Sequence, residues 1–252
     1  MNLEAIIIGS VTGFISAFFG IGGSSIDTPL LRTFLHLPPY IALGTPLPLT
    51  IVTAVIASLT YKREHLVNYR TAVYSLIGGV PGMIAGSYLT SYLSGTFLML
   101  FTAVVLCFIG IDFMFKTSIE KTFCKGDSCL PPAPSFIIFI ALIIGLLSGI
   151  LANGGGIFFV PAYVILFHMK IKEAIATSLL TVAVLSLPGS IIHYHLGHVD
   201  LAITAAIGLG VIPMAYAGAK LDMKTDSKTL VSLFGTFLII FSVYFFISQL
   251  KG

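Results

Sequence analysis

The sequence predicts an all-α polytopic membrane protein built as two inverted repeats of five membrane segments each. Three observations lead there: composition, a gapless internal repeat, and the placement of Lys and Arg. Hydrophobic residues make up 57% of the chain and charged residues 9%, with a mean hydropathy of +1.04. So few charges cannot cover a water-soluble domain, and 252 residues hold roughly eight to ten spans of about 20 residues. The net charge of +3 is scattered in short loops, which makes it a topology signal and argues against a nucleic-acid partner. The first apolar run follows "MNLE" without a basic leader or an A-x-A site, so it is expected to be the first span.

Shifting the chain by 132 residues brings its punctuation into register. Gly13, Gly22, Gly23, Gly78 and Gly86 fall on Gly145, Gly154, Gly155, Gly210 and Gly218. Pro29 and Pro81 fall on Pro161 and Pro213, His36 on His168, and Thr45 on Thr177. Chance would supply roughly one such Gly–Gly match, so the chain is an internal duplication. The expected organisation is a first repeat over 1–116, a cytoplasmic linker over 117–134 containing Pro131, Pro132 and Pro134, and a second repeat over 135–252.

Each repeat divides into five apolar segments: 3–19, 26–36, 40–61, 70–91 and 95–115, then 136–151, 157–168, 173–194, 200–220 and 228–249. Two of them, 26–36 and 157–168, are short and begin at Gly-rich breaks, so eight spans plus two re-entrant segments is the alternative count. The cations discriminate. With ten crossings, one side receives Lys62, Arg63, Arg70, Lys116, Lys121, Lys125, Lys170, Lys172, Lys220, Lys224 and Lys228, and the other only Lys251. With eight crossings the tally is seven against six. The positive-inside rule favours ten, in a cell (cytoplasmic) membrane with both termini outside. An odd number of crossings per repeat makes the repeats inverted, which is a plan of secondary transporters.

The breaks "FFGIGGSSIDTP" and "LANGGGIFFVP" place flexible backbone where a bilayer offers it no hydrogen bonds. A helix of about 12 residues covers roughly 18 Å of a core about 30 Å thick, so each break should lie near the midplane. Inversion brings one break from each side, and the short helices then aim their N-termini, with free N–H groups and positive dipole ends, at a common centre. That suits an anion. The candidate substrate-binding residues are Gly22, Gly23, Ser24 and Ser25 in the first break, and Asn153, Gly154, Gly155 and Gly156 in the second. Thr45 in "GTPLP", and Thr177 and Ser178 in "ATSLL", are further polar candidates. Tight helix packing is the plainer explanation of clustered Gly, and it is the better one for Gly78, Gly79, Gly82 and Gly86 at helical spacing.

The motifs "GIGGSSIDTPLL", "NGGGIFFVPAY", "ALGTPLPLT", "AIATSLL", "GSIIHYHLGHVDL" and "GLGVIPMAYAGAKL" resemble the sulfite exporter TauE/SafE family, also called the toluene sulfonate uptake permeases. The resemblance runs along essentially the whole chain in order. It implies movement of sulfite, sulfonates or related small sulfur-containing anions across the cytoplasmic membrane. Ser24, Ser25 and Asp27 depart from the family's apolar first motif, and Asp27 would repel an anion unless paired or protonated.

Two ionisable residues lie inside a predicted membrane segment, where charge is expensive. Asp27 reads either as a proton-coupling group or as a helix N-cap, and Arg32 either as a charge-compensating group or as an interfacial cation. Asp27 and Asp112 are the aspartates nearest span interiors, and Asp112 with Lys116 reads as an interfacial ion pair. His193, His195 and His198 have the spacing of an interface turn rather than of a metal site, and His36 and His168 should end the short helices. Cys124 and Cys129 read as free thiols of a cytoplasmic loop, and Cys107 as a packing residue. No nucleotide-binding, catalytic, cofactor or metal motif is found, so the expectation is a non-enzymatic secondary transporter, working by alternating access and coupled to protons or sodium. An anion channel or a non-transporting scaffold is the alternative.

Overall fold

The computed structural model describes residues 2–62, 66–116 and 132–250, and every regular element among them is helical. The first half contains α1 (Asn2–Phe19), α2 (Ser24–Phe34), α3 (Pro39–Gly44), α4 (Leu47–Lys62), α5 (Tyr69–Leu89) and α6 (Gly95–Lys116). The second contains α7 (Pro134–Ile150), α8 (Gly156–Ile165), α9 (Ile171–His195), α10 (Leu201–Lys224) and α11 (Ser227–Leu250). Four helical stretches are long and apolar enough to cross a membrane: Pro39–Tyr61, Tyr69–Tyr92, Ile171–His195 and Leu201–Lys224. Shorter apolar helices include Leu3–Phe19, Pro134–Ile150 and Gly156–Ile165. Large apolar side chains such as Phe108, Leu209 and Ile240 stand exposed at 73, 67 and 65%. This is a polytopic membrane protein whose exposed apolar faces suit lipid. Most of the predicted linker, with Cys124 and Cys129, lies outside the described residues, as do the side chains of Asp112 and Lys116.

The break between α3 and α4 has a local cause. Pro46 has no N–H to offer the carbonyl of Ala42, and the helical hydrogen bonding is interrupted there. Ser178 occupies the matched position in α9, which runs unbroken.

Glycines govern how the halves join. Helix α1 packs along α10, and α5 along α7. A Cβ at Gly78, Gly82 or Gly86 would strike the carbonyl oxygen of Ile138, Leu142 or Leu146, and one at Gly210 or Gly218 that of Ile6 or Phe14. Small residues let membrane helices approach to backbone contact, which confirms the packing reading for the glycines of α5. Each close pair takes one helix from either half of the chain. The halves are therefore interleaved.

Polar latches hold the helix starts. Asn68 caps α5 by accepting from the Thr71 N–H at 3.1 Å, and Asp200 caps α10 by accepting from Ala202 and Ile203. The cap residues then donate their own N–H groups across the structure: Asn68 to Thr177 Oγ1 at 2.9 Å, and Asp200 to Thr45 Oγ1 at 3.1 Å. Thr177→Val should lower stability by about 1–2 kcal/mol because it strands a partly buried N–H, and Thr45→Val should do the same. Thermal unfolding in detergent reads both.

His36 and His168 lie just beyond α2 and α8 with φ of 51° and 54°. These left-handed residues let Leu37 and Met169 donate back to the carbonyls of Leu31 and Tyr163 at 3.5 and 2.9 Å. Both histidines end the short helices, as their matched positions suggest.

Candidate functional site

The two Gly-rich breaks fold alike and touch. Gly20, Gly22 and Gly23 take φ of 70°, 83° and 87°, and Gly154 and Gly155 take 69° and 92°. Side chains disfavour this region, so glycine lets the chain turn out of α1 and α7 and straight into α2 and α8. Gly23 and Gly155 are the N-caps, without any side-chain cap bond.

Contact between the breaks is at backbone distance. A Cβ at Gly156 would stand 2.5 Å from the carbonyl carbon and oxygen of Ile21 and 2.8 Å from the Gly20 oxygen. Thr50 of α4 and Val182 of α9 flank both breaks. A Cβ at Gly22 would lie 2.9 Å from each, and one at Gly154 would lie 2.7 Å from Thr50 Cγ2 and 3.5 Å from Val182 Cγ1. Ser178 ties α9 to the first break by donating to the Gly20 carbonyl at 3.1 Å. Gly22, Gly23, Ser24 and Ser25 are buried, as are Asn153, Gly154, Gly155 and Gly156, so this conformation closes the breaks to solvent.

Donors and acceptors meet there. In the first break the Ser24 N–H reaches Thr50 Oγ1 at 3.4 Å and the Gly22 carbonyl at 3.1 Å. In the second, Asn153 Oδ1 accepts from the Gly155 N–H at 3.0 Å. The hydroxyls of Ser24, Ser25 and Ser186 are buried and have no partner among the described residues. The described buried polar residues include neither Lys nor Arg. An anion held here would therefore rest on hydroxyls, amide N–H groups and two helix N-termini.

Thr45 and Thr177 use their hydroxyl oxygens as the latches for Asp200 and Asn68. Arg32 lies in the last turn of α2, at the opposite end from the break, where Nη1 donates to the Leu37 carbonyl at 2.9 Å. Asp27 is not an N-cap. It sits within the first turn that Gly23 opens, and is 1% exposed.

Other residues at the breaks were missed in the sequence. Thr50 and Thr53 are three apart and Thr12 and Ser16 four apart, so each pair shares a helix face. That spacing of hydroxyls in otherwise apolar helices was the available signal. Asp222 was missed as well. It is 0% exposed near the end of α10 and accepts the Tyr61 hydroxyl of α4. His193, 0% exposed, pairs Nδ1 to Nδ1 with His198 at 3.1 Å and places Nε2 3.2 Å from the Gly149 carbonyl. Burial holds His198, in the loop before α10, below the usual imidazole range, which suits a neutral histidine pair. Among the described residues no His, Cys, Asp and Glu cluster suited to a metal ion is found.

The comparisons with known proteins agree with one another. The chain is 27% identical to the probable membrane transporter protein YunE of Bacillus subtilis (strain 168), over 93% of each chain. It is 30% identical to a probable membrane transporter protein of Haemophilus influenzae, over 92% of this chain and 89% of that one. A probable membrane transporter protein of Methanocaldococcus jannaschii is 23% identical over 95% of this chain and 93% of its own. No solved structure matches the chain. The model of the sulfite exporter TauE/SafE family matches residues 5–245, and the chain belongs to that family of membrane transporters.

Proposed function

We propose that this protein is a secondary transporter that moves a small oxyanion, sulfite or an organosulfonate or a related sulfur compound, across the cytoplasmic membrane by alternating access. The observation that carries the reading is the backbone contact between two glycine-rich breaks, each opening the N-terminus of a short helix. Helix dipoles and N–H groups from both sides then converge on one place, and Ser24 and Ser25 add hydroxyl donors. The sulfur in the assignment comes from the family alone.

Ten membrane segments in inverted repeats fit this role. Helices of the second half recur about 132 positions after their counterparts, and the pairs α1 with α10 and α5 with α7 exchange under that shift. The Lys and Arg count over ten crossings supports both termini outside and the linker in the cytoplasm. Because the halves are interleaved, the moving bodies in alternating access are bundles drawn from both repeats. A cysteine introduced at Asn2 with Cys124 and Cys129 replaced, and the native Cys124 of the linker in an otherwise wild-type chain, should react with an impermeant thiol reagent from opposite faces of oriented vesicles.

The deciding experiment is counterflow of labelled sulfite in proteoliposomes, with sulfite, sulfate, thiosulfate and a sulfonate as competitors. Saturable exchange that falls about tenfold or more in Gly23→Leu and Gly155→Leu, with folding intact, supports the paired-break site. Flux that never saturates favours the channel reading, and no flux with any of the four anions removes the sulfur-anion assignment.

A further inference from the structure

We propose that Asp27, with Ser16 and Thr53, forms a single monovalent-cation site beside the first break, where a proton or Na⁺ couples to passage of the anion. The last clause rests on the transporter reading above, whereas occupancy of the site does not. Three side-chain oxygens converge on one point. The position that a Cβ would take at Gly23 lies 3.6 Å from Asp27 Oδ2, 3.6 Å from Ser16 Oγ and 3.8 Å from Thr53 Oγ1. Glycine keeps that point clear.

The oxygens have capacity to spare. Ser16 Oγ is buried without a partner among the described residues, and so is Oδ1, the other oxygen of the Asp27 carboxyl. Thr53 donates its proton to the Leu49 carbonyl at 3.0 Å, which leaves its oxygen able to accept, and buried Thr12 neighbours the carboxyl. An oxygen-only donor set with one carboxylate suits a hard cation and is neutralised by a single positive charge.

Among the described buried residues no Lys or Arg supplies that charge. Helix α2 packs against α1, α3 and α4. The acidic or basic residues of these neighbours are Glu4 at the start of α1 and Lys62 at the end of α4, with Tyr61 beside it bonded to Asp222. Helix α3 has Tyr40, which donates to the Leu93 carbonyl. Arg32, on α2 itself, is engaged with the Leu37 carbonyl. An unpaired carboxylate at this depth costs several kcal/mol, and an anion in the adjacent breaks would add a second negative charge. A cation entering with the anion removes both penalties, which is the physical basis of coupling.

The matching positions of the second half form no such site among the described residues. The positions matching Thr12, Ser16, Asp27 and Thr53 are Ile144, Ser148, Phe159 and Leu185. A Cβ at Gly155 meets Phe159, Ser148 and Leu185 at 3.0–3.1 Å, and Ser148 is turned to the Ile144 carbonyl at 2.6 Å. The duplication has kept two breaks and one carboxylate, so the proposal predicts one cation per chain.

The test is labelling with dicyclohexylcarbodiimide, which attacks protonated carboxyls in apolar surroundings, on the full protein in liposomes with the modified peptide read by mass spectrometry. Asp27 should be labelled in the wild type and protected in one of two ways. Protection by rising pH alone, about tenfold per unit beyond the midpoint, identifies the proton. Protection by NaCl but not by choline chloride at fixed pH identifies Na⁺. Labelling of Asp27 that is absent, or indifferent to both, overturns the site. Ser16→Ala, which keeps the carboxylate and removes an oxygen, should shift the midpoint or the Na⁺ concentration needed. In sulfite transport, Asp27→Asn should lower the ratio of gradient-driven accumulation to exchange by about tenfold, and an unchanged ratio overturns the coupling role. If the wild type moves no sulfite but Asp27 still shows cation-dependent protection, the substrate assignment fails while the cation site holds.

Discussion

Gly156→Ala should abolish anion exchange while the protein still inserts and folds. The new methyl carbon would lie 2.5 Å from both the carbonyl carbon and oxygen of Ile21, where ordinary contact is about 3.5–4.0 Å. The obstacle is backbone, so no rotamer change relieves it, and the two breaks must separate by about 1 Å. Gly156 has no positive φ and opens α8, so alanine brings no backbone strain and its helix propensity is favourable. Overpacking of this kind costs about 1–3 kcal/mol, small enough for folding to survive. It is large enough to spoil a site that depends on two helix starts meeting. Counterflow rate against thermal stability in detergent reads the difference, and a variant that transports normally would show that contact between the breaks is not required.

The second large effect concerns stability. Gly145→Leu should unfold the protein, or cost it several kcal/mol, because a Cβ at that position meets the Gly79 backbone and leaves a leucine nowhere to go. Gly210→Leu should do the same through Ile6 and Ser10. Ile77→Ala and Leu209→Ala, at 53% and 67% exposure on the lipid-facing surface of α5 and α10, should change stability little. The contrast between the two sets, measured by unfolding in the same detergent, tests whether backbone contact joins the halves. Equal effects would argue against it.

Much of this was legible because glycine and proline are conspicuous in an apolar chain. The short segments expected at 26–36 and 157–168 form α2 and α8, at Ser24–Phe34 and Gly156–Ile165. The first starts earlier because Ser24 and Ser25 enter the helix instead of preceding it, which also moves Asp27 from a cap into the first turn. Partner choice was hidden. Which helix lies against α1 depends on surfaces far apart in the chain, and periodicity within one segment carries no such information. Thr45 and Thr177 stood out as polar residues of matched motifs, and the partners of their hydroxyls, the caps of distant helices, could not be read from those motifs. Asp222 escaped notice because a charge at the end of an apolar run normally marks the membrane surface, whereas Tyr61 buries this one. Ser16, Thr50, Thr53 and Ser186 went unremarked, because a hydroxyl in an apolar helix does not say what it faces.

The interleaving of the halves also sets an order of events during synthesis. Helix α1 is made first, but the surface it packs against begins at Leu201. At about 5–20 residues per second, α1 waits roughly 10–40 s with its glycine stripe facing lipid or the insertion machinery. A chain cut short in the linker would leave both α1 and α5 without their mates, since α10 and α7 lie beyond it. Neither half is a folding unit, and a truncated product should be recognised by membrane quality control as unfinished.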